Sequence, residues 1–392
     1  MQVIFLISSL TLHLHKVQTT YQICQRCLMD TTDPIIRFND VGICNHCSEY
    51  LNVRAAHSYK GEETDLQFKA LINEIKSGSN GRQYDCVVGL SGGIDSSYVA
   101  YLAKKNGLRV LGVHMDNGWN SEEAVQNIRN IAQILGIDYE SYVLDWEEFK
   151  EIQLAFLKAS VPEADTPTDI AILSCLHKVA HKYGAKYIIS GGNFATEGIL
   201  PKHWHYNAKD LTYFKHIHKT FGKGKIITFP TFGFRSEMYY KLVKKIKMVY
   251  LLNYVPYDKA EAIKLLETEL NWKNYGGKHY ESKYTGFIQS YYLFKKFNID
   301  YRRATLSSQI CAGSISREEA IEILKTSPFK QETVDREIEY IAKKLGISVD
   351  ELKQIIDLPP NWYHDYPNDE KWLNYVYNTY RKVFKKEKLA SF

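Results

Sequence analysis

No stretch of this chain is long and apolar enough to cross a bilayer. Residues 3–14 come nearest and fall well short of the roughly 20 apolar residues a spanning helix needs. No Lys or Arg precedes them and no clear small-residue cleavage site follows, so they do not read as a secretory signal. They are expected to form an extension over residues 1–19 on a soluble, cytoplasmic protein. Charge of one sign is also scarce: 50 basic against 45 acidic residues leave a net +5. That excess is too small to argue for nucleic acid, though it suits small anionic substrates. Repeats and low-complexity tracts are absent. So is a disulfide framework: an odd count of seven cysteines, with four grouped in pairs, points to a reducing compartment.

With 392 residues, 45% of them hydrophobic, the chain can bury a large core and should hold about two to three domains. The grouped cysteines are Cys24-x2-Cys27 and, after sixteen residues, Cys44-x2-Cys47. Each pair can form a knuckle presenting two thiolates, and four thiolates close a tetrahedral Zn²⁺ shell. A closed shell leaves no position for water, so the metal's role should be structural. Ile35–Phe38 could add a short strand, and His46 is expected to face solvent. The other cysteines, Cys86, Cys175 and Cys311, are scattered.

From Tyr84 the pattern becomes alternating apolar strands and amphipathic helices. Strands are expected at 85–90, 109–115, 139–144 and 186–190, and helices at 95–105, 121–135, 146–159 and 169–183. That alternation predicts an α/β fold with a parallel sheet covered on both faces. Ligands in such sheets bind at the carboxyl ends of the strands. The first strand ends in Ser91-Gly92-Gly93-Ile94-Asp95-Ser96-Ser97. Unpaired backbone N–H groups and a helix N-terminus there suit a phosphate. Gly92 and Gly93 permit close approach, Ser91, Ser96 and Ser97 offer hydroxyls, and Asp95 can hold Mg²⁺. The loop lacks the Lys of a Walker motif. It resembles the pyrophosphate loop of the ATP pyrophosphatases, which cleave ATP to AMP and pyrophosphate. The second strand, carrying Val113 and His114, ends at Asp116, and the last at Gly191-Gly192-Asn193. Three polar termini on one rim should converge on one nucleotide. Thr168 and Asp169 read as the N-cap and first turn of a helix.

Residues 197–275 are rich in aromatic and His residues without metal spacing, and 241–250 reads as a packed helix with a Lys face. Lys278, His279 and Glu281 then cluster in Gly276-Gly277-Lys278-His279-Tyr280-Glu281, followed by Arg302-Arg303. Such a group could bind pyrophosphate or a sugar anion, with His279 or Glu281 moving a proton. Helices are expected at 258–268, 317–326, 332–345, 349–356 and 369–386. The domains then read as a zinc ribbon over 20–52, a nucleotide domain over 53–245 and a mostly helical region over 246–392.

Together the two knuckles, with Leu28-Met29-Asp30-Thr31-Thr32-Asp33-Pro34 between them, resemble the N-acetyl sugar amidotransferases of bacterial surface-glycan biosynthesis. The same holds for Ser91–Ser97, Pro167-Thr168-Asp169, Asn193–Gly198 and Tyr275–Ser282. The match runs from about Gln22 to Phe329; at Tyr301 and Thr305 the chain departs from the expected Lys and His. The resemblance implies an adenine-nucleotide α-hydrolase-like (ATP pyrophosphatase) domain with an N-terminal zinc ribbon and a helical C-terminal region. ATP, Mg²⁺ and Zn²⁺ are its implied cofactors. Its implied catalytic residues are Asp95, Lys278, His279 and Glu281. Its implied reaction, in lipopolysaccharide O-antigen or flagellin glycan synthesis, adenylylates the acetamido oxygen of a nucleotide sugar. Ammonia then displaces AMP to leave an acetamidino group. No glutaminase signature is visible, so a separate glutaminase is the implied ammonia source, with no nucleic-acid or membrane partner. A tRNA thiolation enzyme is the competing reading, since that class also joins a zinc ribbon to such a loop. It would need cysteines near the adenylate and a basic RNA-binding face, and neither is evident.

Overall fold

The computed structural model describes residues 20–57, 61–274 and 281–384. The extension at 1–19 and the candidate residues Lys278 and His279 lie outside them. Five strands form one all-parallel sheet: β1 (Cys86–Gly89), β2 (Val110–Asp116), β3 (Asp138–Val143), β4 (Tyr187–Ser190) and β5 (Lys247–Tyr250). Their order is β3-β2-β1-β4-β5. The chain winds outward from β1 to β3, then returns to the other side of β1 for β4 and β5. The crevice between the β1 and β4 ends is therefore the topological switch point, where such sheets take their ligands.

Side-chain alternation along the strands explains the two-sided cover. Val87, Leu111 and Val113 point to one face and pack with Leu176, Val179 and Ala180. Cys86, Val88 and Val110 point to the other and pack with Ile75, Val99, Ile131 and Leu266. Each fully buried Val or Leu of this kind contributes about 1.5–3 kcal/mol. The covering helices are α2 (Glu62–Ser77), α3 (Ile94–Lys105), α4 (Glu122–Leu135), α5 (Trp146–Lys158) and α6 (Thr166–Lys182); α1 (Asn45–His57) precedes them at the N-terminus. Ser121 caps α4 and Asp145 caps α5 through side-chain bonds to Ala124 N and Glu148 N. The helical C-terminal region comprises Arg302–Ala312, Arg317–Lys325, Gln331–Leu345, Val349–Asp357 and Glu370–Phe384.

Three expectations are corrected. Residues 247–250 are β5 rather than part of a packed helix, so the sheet continues past residue 245; alternate burial on a mixed basic and apolar edge strand mimics helical spacing over so short a run. Ile35–Phe38 forms no strand, only a single bridge from Phe38 to Cys44. Thr168 is not the cap of α6. The helix starts at Thr166 with Pro167 in its first turn, where a missing N–H costs nothing. Among the described residues no helix is long and apolar enough to cross a membrane.

Candidate active site and cysteine cluster

The pyrophosphate-type loop runs from the end of β1 into α3. Gly92 has φ +80°, and a Cβ there would lie 2.4 Å from the Ala124 carbonyl oxygen of α4. Only glycine serves at this point. The loop is laced internally: Ser91 and Ser96 hydroxyls lie 3.0 Å apart, Gly93 N donates to Ser91 Oγ at 3.2 Å, and Ser97 Oγ donates to Gly93 O at 2.6 Å. From outside, Trp272 Nε1 and Asn127 Nδ2 donate to Gly92 O at 3.0 and 3.3 Å. Asp95 accepts a hydrogen bond from the Tyr257 hydroxyl, delivered by the segment after β5. Burial, then the Asp95 charge, holds the Tyr257 pKa well above its ordinary value, so its proton stays on the phenol.

Other candidate residues meet this loop. A Cβ on Gly191 would lie 2.9 Å from Asp95 C and Ser96 N, so the turn after β4 touches the first turn of α3 directly. Asn193 is wholly buried and caps the short helix Phe194–Glu197 by accepting from Thr196 N at 2.9 Å. His114 Nδ1 lies 3.0 Å from Leu90 O, and its Nε2 lies 3.2 Å from Asn120 Nδ2. Asp116 accepts from Gly118 N at 2.9 Å and Asn120 Nδ2 at 3.2 Å. Val113 is different. Its side chain is buried against α6, and its carbonyl accepts from Leu90 N at 2.8 Å, which leaves little for a nucleotide. Glu281 lies beside the β2 end, where its carbonyl accepts from Ser121 N at 2.8 Å and Asn120 bridges to Ser282.

Arg302 and Arg303 do not join a phosphate site. Arg302 is paired with Asp300 at 2.7 Å, and Arg303 with Asp30 at 3.0 Å. Arg303 also donates to Leu28 O at 2.9 Å, so both are used to dock elements together.

What the sequence reading undervalued is the acidic first turn of α6. This helix runs back against the strands into β4, which brings Asp165 and Asp169 to the carboxyl rim. Burial pushes Asp165 up to about 6 and Glu163 up to about 8. Asp169 is pushed up to about 7 by burial, then by the charges of Asp165 and Glu197. Asp169 is nonetheless open to solvent. Burial first, and then charges that include that of Glu197, raise the pKa values of Tyr301, Tyr250 and Tyr257. The signal was present as Pro167-Thr168-Asp169, but capping alone explained those residue types.

The four cysteines Cys24, Cys27, Cys44 and Cys47 are fully buried, with sulfurs within 4.8 Å of one another. Cys24 and Cys47 sulfurs are 3.9 Å apart, and Cys27 and Cys44 sulfurs 3.7 Å. A tetrahedron with Zn–S bonds of about 2.3 Å has an edge of about 3.8 Å, so the donor set fits Zn²⁺. Backbone N–H groups of Arg26, Cys27 and Cys44 point at Cys24 Sγ at 3.3–3.5 Å, as thiolate charge requires. His46 does not face solvent. It is buried against Asp33 Oδ2 at 2.6 Å, and although burial opposes the charge, that carboxylate raises its pKa. Cys311 was not expected here, yet its sulfur lies 3.7 Å from Cys47 Sγ.

The helix Arg302–Ala312 links this cluster to the rim. Ser307 Oγ accepts from Leu28 N at 3.1 Å, and Ser308 Oγ accepts from Ile199 N at 2.8 Å. Tyr50 of α1 packs so closely on Gly198 that a Cβ there would meet its ring at 2.3 Å.

Comparison with known proteins agrees with this layout. Residues 69–170 match the family model described as NAD synthase, and residues 281–382 that of LPS biosynthesis protein WbpG-like, C-terminal domain. The chain is 32% identical over 146 residues to the tRNA-specific 2-thiouridylase MnmA of Pediococcus pentosaceus, 33% of this chain and 39% of that protein. It is 30% identical over 212 residues to that of Nitratiruptor sp., 52% of this chain and 60% of that protein. The chain thus spans less than two thirds of the length of these curated relatives. An NMN synthetase structure from Francisella tularensis shares 17% identity over 55% of this chain and 99% of that chain, with TM-score 0.29. The chain therefore carries an NAD synthase-like adenine-nucleotide α-hydrolase fold, a buried four-cysteine group ahead of it and a WbpG-like helical region behind it.

Proposed function

We propose that this protein is an ATP-dependent amidotransferase that converts the acetamido group of a nucleotide-activated sugar to an acetamidino group in surface-glycan synthesis. The observation that carries the reading is the presence, in one chain, of an NAD synthase-like domain bearing the Ser91–Ser97 loop and a WbpG-like C-terminal domain. An amide oxygen is a poor leaving group, so the chemistry begins with its attack on the α-phosphate of ATP. The loop amides and the α3 N-terminus take up charge on the departing pyrophosphate. Asp95 is the carboxylate that would hold Mg²⁺, which when bound would share that charge. Ammonia from a separate glutaminase then adds to the activated carbon and AMP leaves. The Cys24, Cys27, Cys44 and Cys47 group would hold Zn²⁺ structurally. Lys278, His279 and Glu281 stand as the residues proposed to handle protons or phosphate, Glu281 beside the β2 rim.

The 2-thiouridylase relatives favour a second reading, tRNA thiolation. The cysteines argue against it. Cys86 is wholly buried in β1, and burial raises its thiol. Cys175 lies about 13 Å down α6 from the rim, buried, its thiol pushed up to about 12 by burial. Cys311 is engaged with Cys47. The deciding experiment incubates the protein with ATP, ammonia and N-acetylated UDP-, GDP- and CMP-sugars. A product about 1 Da lighter, from oxygen exchanged for NH, with equal AMP and pyrophosphate, is expected. The Cys175→Ser variant should retain this activity. Thiolated tRNA in place of such a product would overturn the proposal.

A further inference from the structure

We propose that Trp272 and Asn127 are positioning residues for the phosphate loop: together they hold the Gly92–Gly93 peptide with its carbonyl turned away from the phosphates and its N–H turned towards them. The proposal rests on the ATP-cleaving step of the amidotransferase reading and adds to it the residues outside the loop that decide what the loop presents.

The Gly92 carbonyl accepts from Trp272 Nε1 at 3.0 Å and from Asn127 Nδ2 at 3.3 Å. On the other side of the same peptide, Gly93 N donates to Ser91 Oγ at 3.2 Å, and Ser91 is exposed at the loop mouth. A trans peptide points its N–H and C=O in opposite directions, and no described peptide bond is cis. Fixing the carbonyl therefore fixes the N–H. Gly93 immediately precedes the first turn of α3, so its N–H joins those of the helix N-terminus. Within the loop itself little opposes a reversal. Both residues are glycine, so no Cβ resists a rotation that exchanges N–H and C=O, and the Ser91 hydroxyl can donate as readily as it accepts.

The clamp from outside supplies the direction, and it is firmly held. Asn127 is wholly buried and Trp272 is 3% exposed. Asn127 also donates to Lys273 O at 2.9 Å and accepts from Lys273 N at 2.7 Å, and Asn130 donates to Asn271 O at 2.8 Å. In this way α4 grips residues 271–273, the stretch leaving the helix Lys259–Leu270, and Trp272 lies between the two grips. A reversed peptide would aim a carbonyl dipole at the β- and γ-phosphates and would deprive Trp272 and Asn127 of this acceptor. AMP lacks both of those phosphates, so its binding should not depend on the peptide's sense.

The test measures binding of magnesium pyrophosphate, a non-hydrolysable ATP analogue and AMP by calorimetry. It uses the full chain, Trp272→Phe and Trp272→benzothienylalanine, an isostere with sulfur in place of the N–H. Each variant should bind pyrophosphate and the ATP analogue about fivefold more weakly, the effect of one neutral hydrogen bond, with AMP affinity unchanged. Asn127→Ala also releases Lys273 and should show the same selectivity with a lower Tm. The isostere keeps the ring in place, so it decides the question even where Asn127→Ala does not fold. Wild-type pyrophosphate affinity in the isostere would overturn the clamp and leave the ATP reading standing. Equal weakening of AMP would overturn it as well, by showing a general loosening of the site. A wild-type protein that bound neither pyrophosphate nor the ATP analogue would overturn the nucleotide reading itself, and the clamp with it.

Discussion

The Tyr257 phenol donates a hydrogen bond to the Asp95 carboxylate, joining the segment after β5 to the first turn of α3. The bond fixes the carboxylate's direction at the mouth of the phosphate loop. Tyr257→Phe keeps the ring, which packs against Tyr98 at 5.7 Å, and removes only that donor. A charge-assisted bond contributes about 1.5–3 kcal/mol, so Tm should fall, and kcat/KM for ATP should fall about tenfold as the Asp95 carboxylate loses its fixed direction. Asp95→Asn should cost more, on the order of 100-fold or greater, because it removes the negative charge as well. Pyrophosphate release measures both; an Asp95→Asn enzyme at wild-type rate would remove Asp95 from the chemistry.

Gly92 and Gly81 offer a controlled comparison, since both have positive φ, +80° and +76°. At Gly81 a Cβ meets nothing within 4 Å, so Gly81→Ala should cost only backbone strain, about 1 kcal/mol. At Gly92 it meets the Ala124 backbone at 2.4 Å, and backbone cannot rotate away. Gly92→Ala should lose about 1–3 kcal/mol more. Urea midpoints at equal m-value give the difference, and equal midpoints would refute the close contact.

Purified protein should contain about one zinc per chain by elemental analysis, held by the four-cysteine shell. Cys44→Ser should lose it and lower Tm, while Cys311→Ser, outside that shell, should retain it. Because Tyr50 bears on Gly198, metal loss should also weaken catalysis through the turn that carries Asn193 and Glu197. A metal-free protein with unchanged Tm and turnover would show the cluster to be dispensable.

Glu163 gives a pH prediction with a definite sign. Burial raises its carboxyl from an ordinary 4.5 to about 8, partly offset by its own backbone and the Tyr213 hydroxyl. The folded state therefore holds this proton more tightly than the unfolded chain. The stability it contributes is full below about pH 4.5 and is lost as pH rises through about 8. Glu163→Gln cannot ionise. Its unfolding free energy should match that of the wild type near pH 5 and exceed it near pH 9, by a few kcal/mol at most, with Tm following. Parallel Tm curves across that range would show the carboxyl to be unperturbed.

Local chemistry explains why much of this was readable in advance. Four strands and the helices beside them are announced by apolar period, and Gly92 by a turn that admits only glycine. The paired cysteines carry their own spacing. Where one residue type serves two ends, the reading stopped. Asp169 looks the same as a helix-capping carboxylate, Arg302 and Arg303 the same as phosphate ligands, and His46 the same as a surface histidine.

By itself the sequence determined the parallel α/β core, the phosphate loop and the four-thiolate cluster, because each depends on neighbours a few residues apart. Tertiary structure alone decided that β5 joins the sheet and brings Tyr257 to Asp95, 162 positions away. It also decided that Cys311 meets Cys47 across 264 positions. Those meetings follow from how the helices pack, and packing is a property of the whole core that no short window of residues contains.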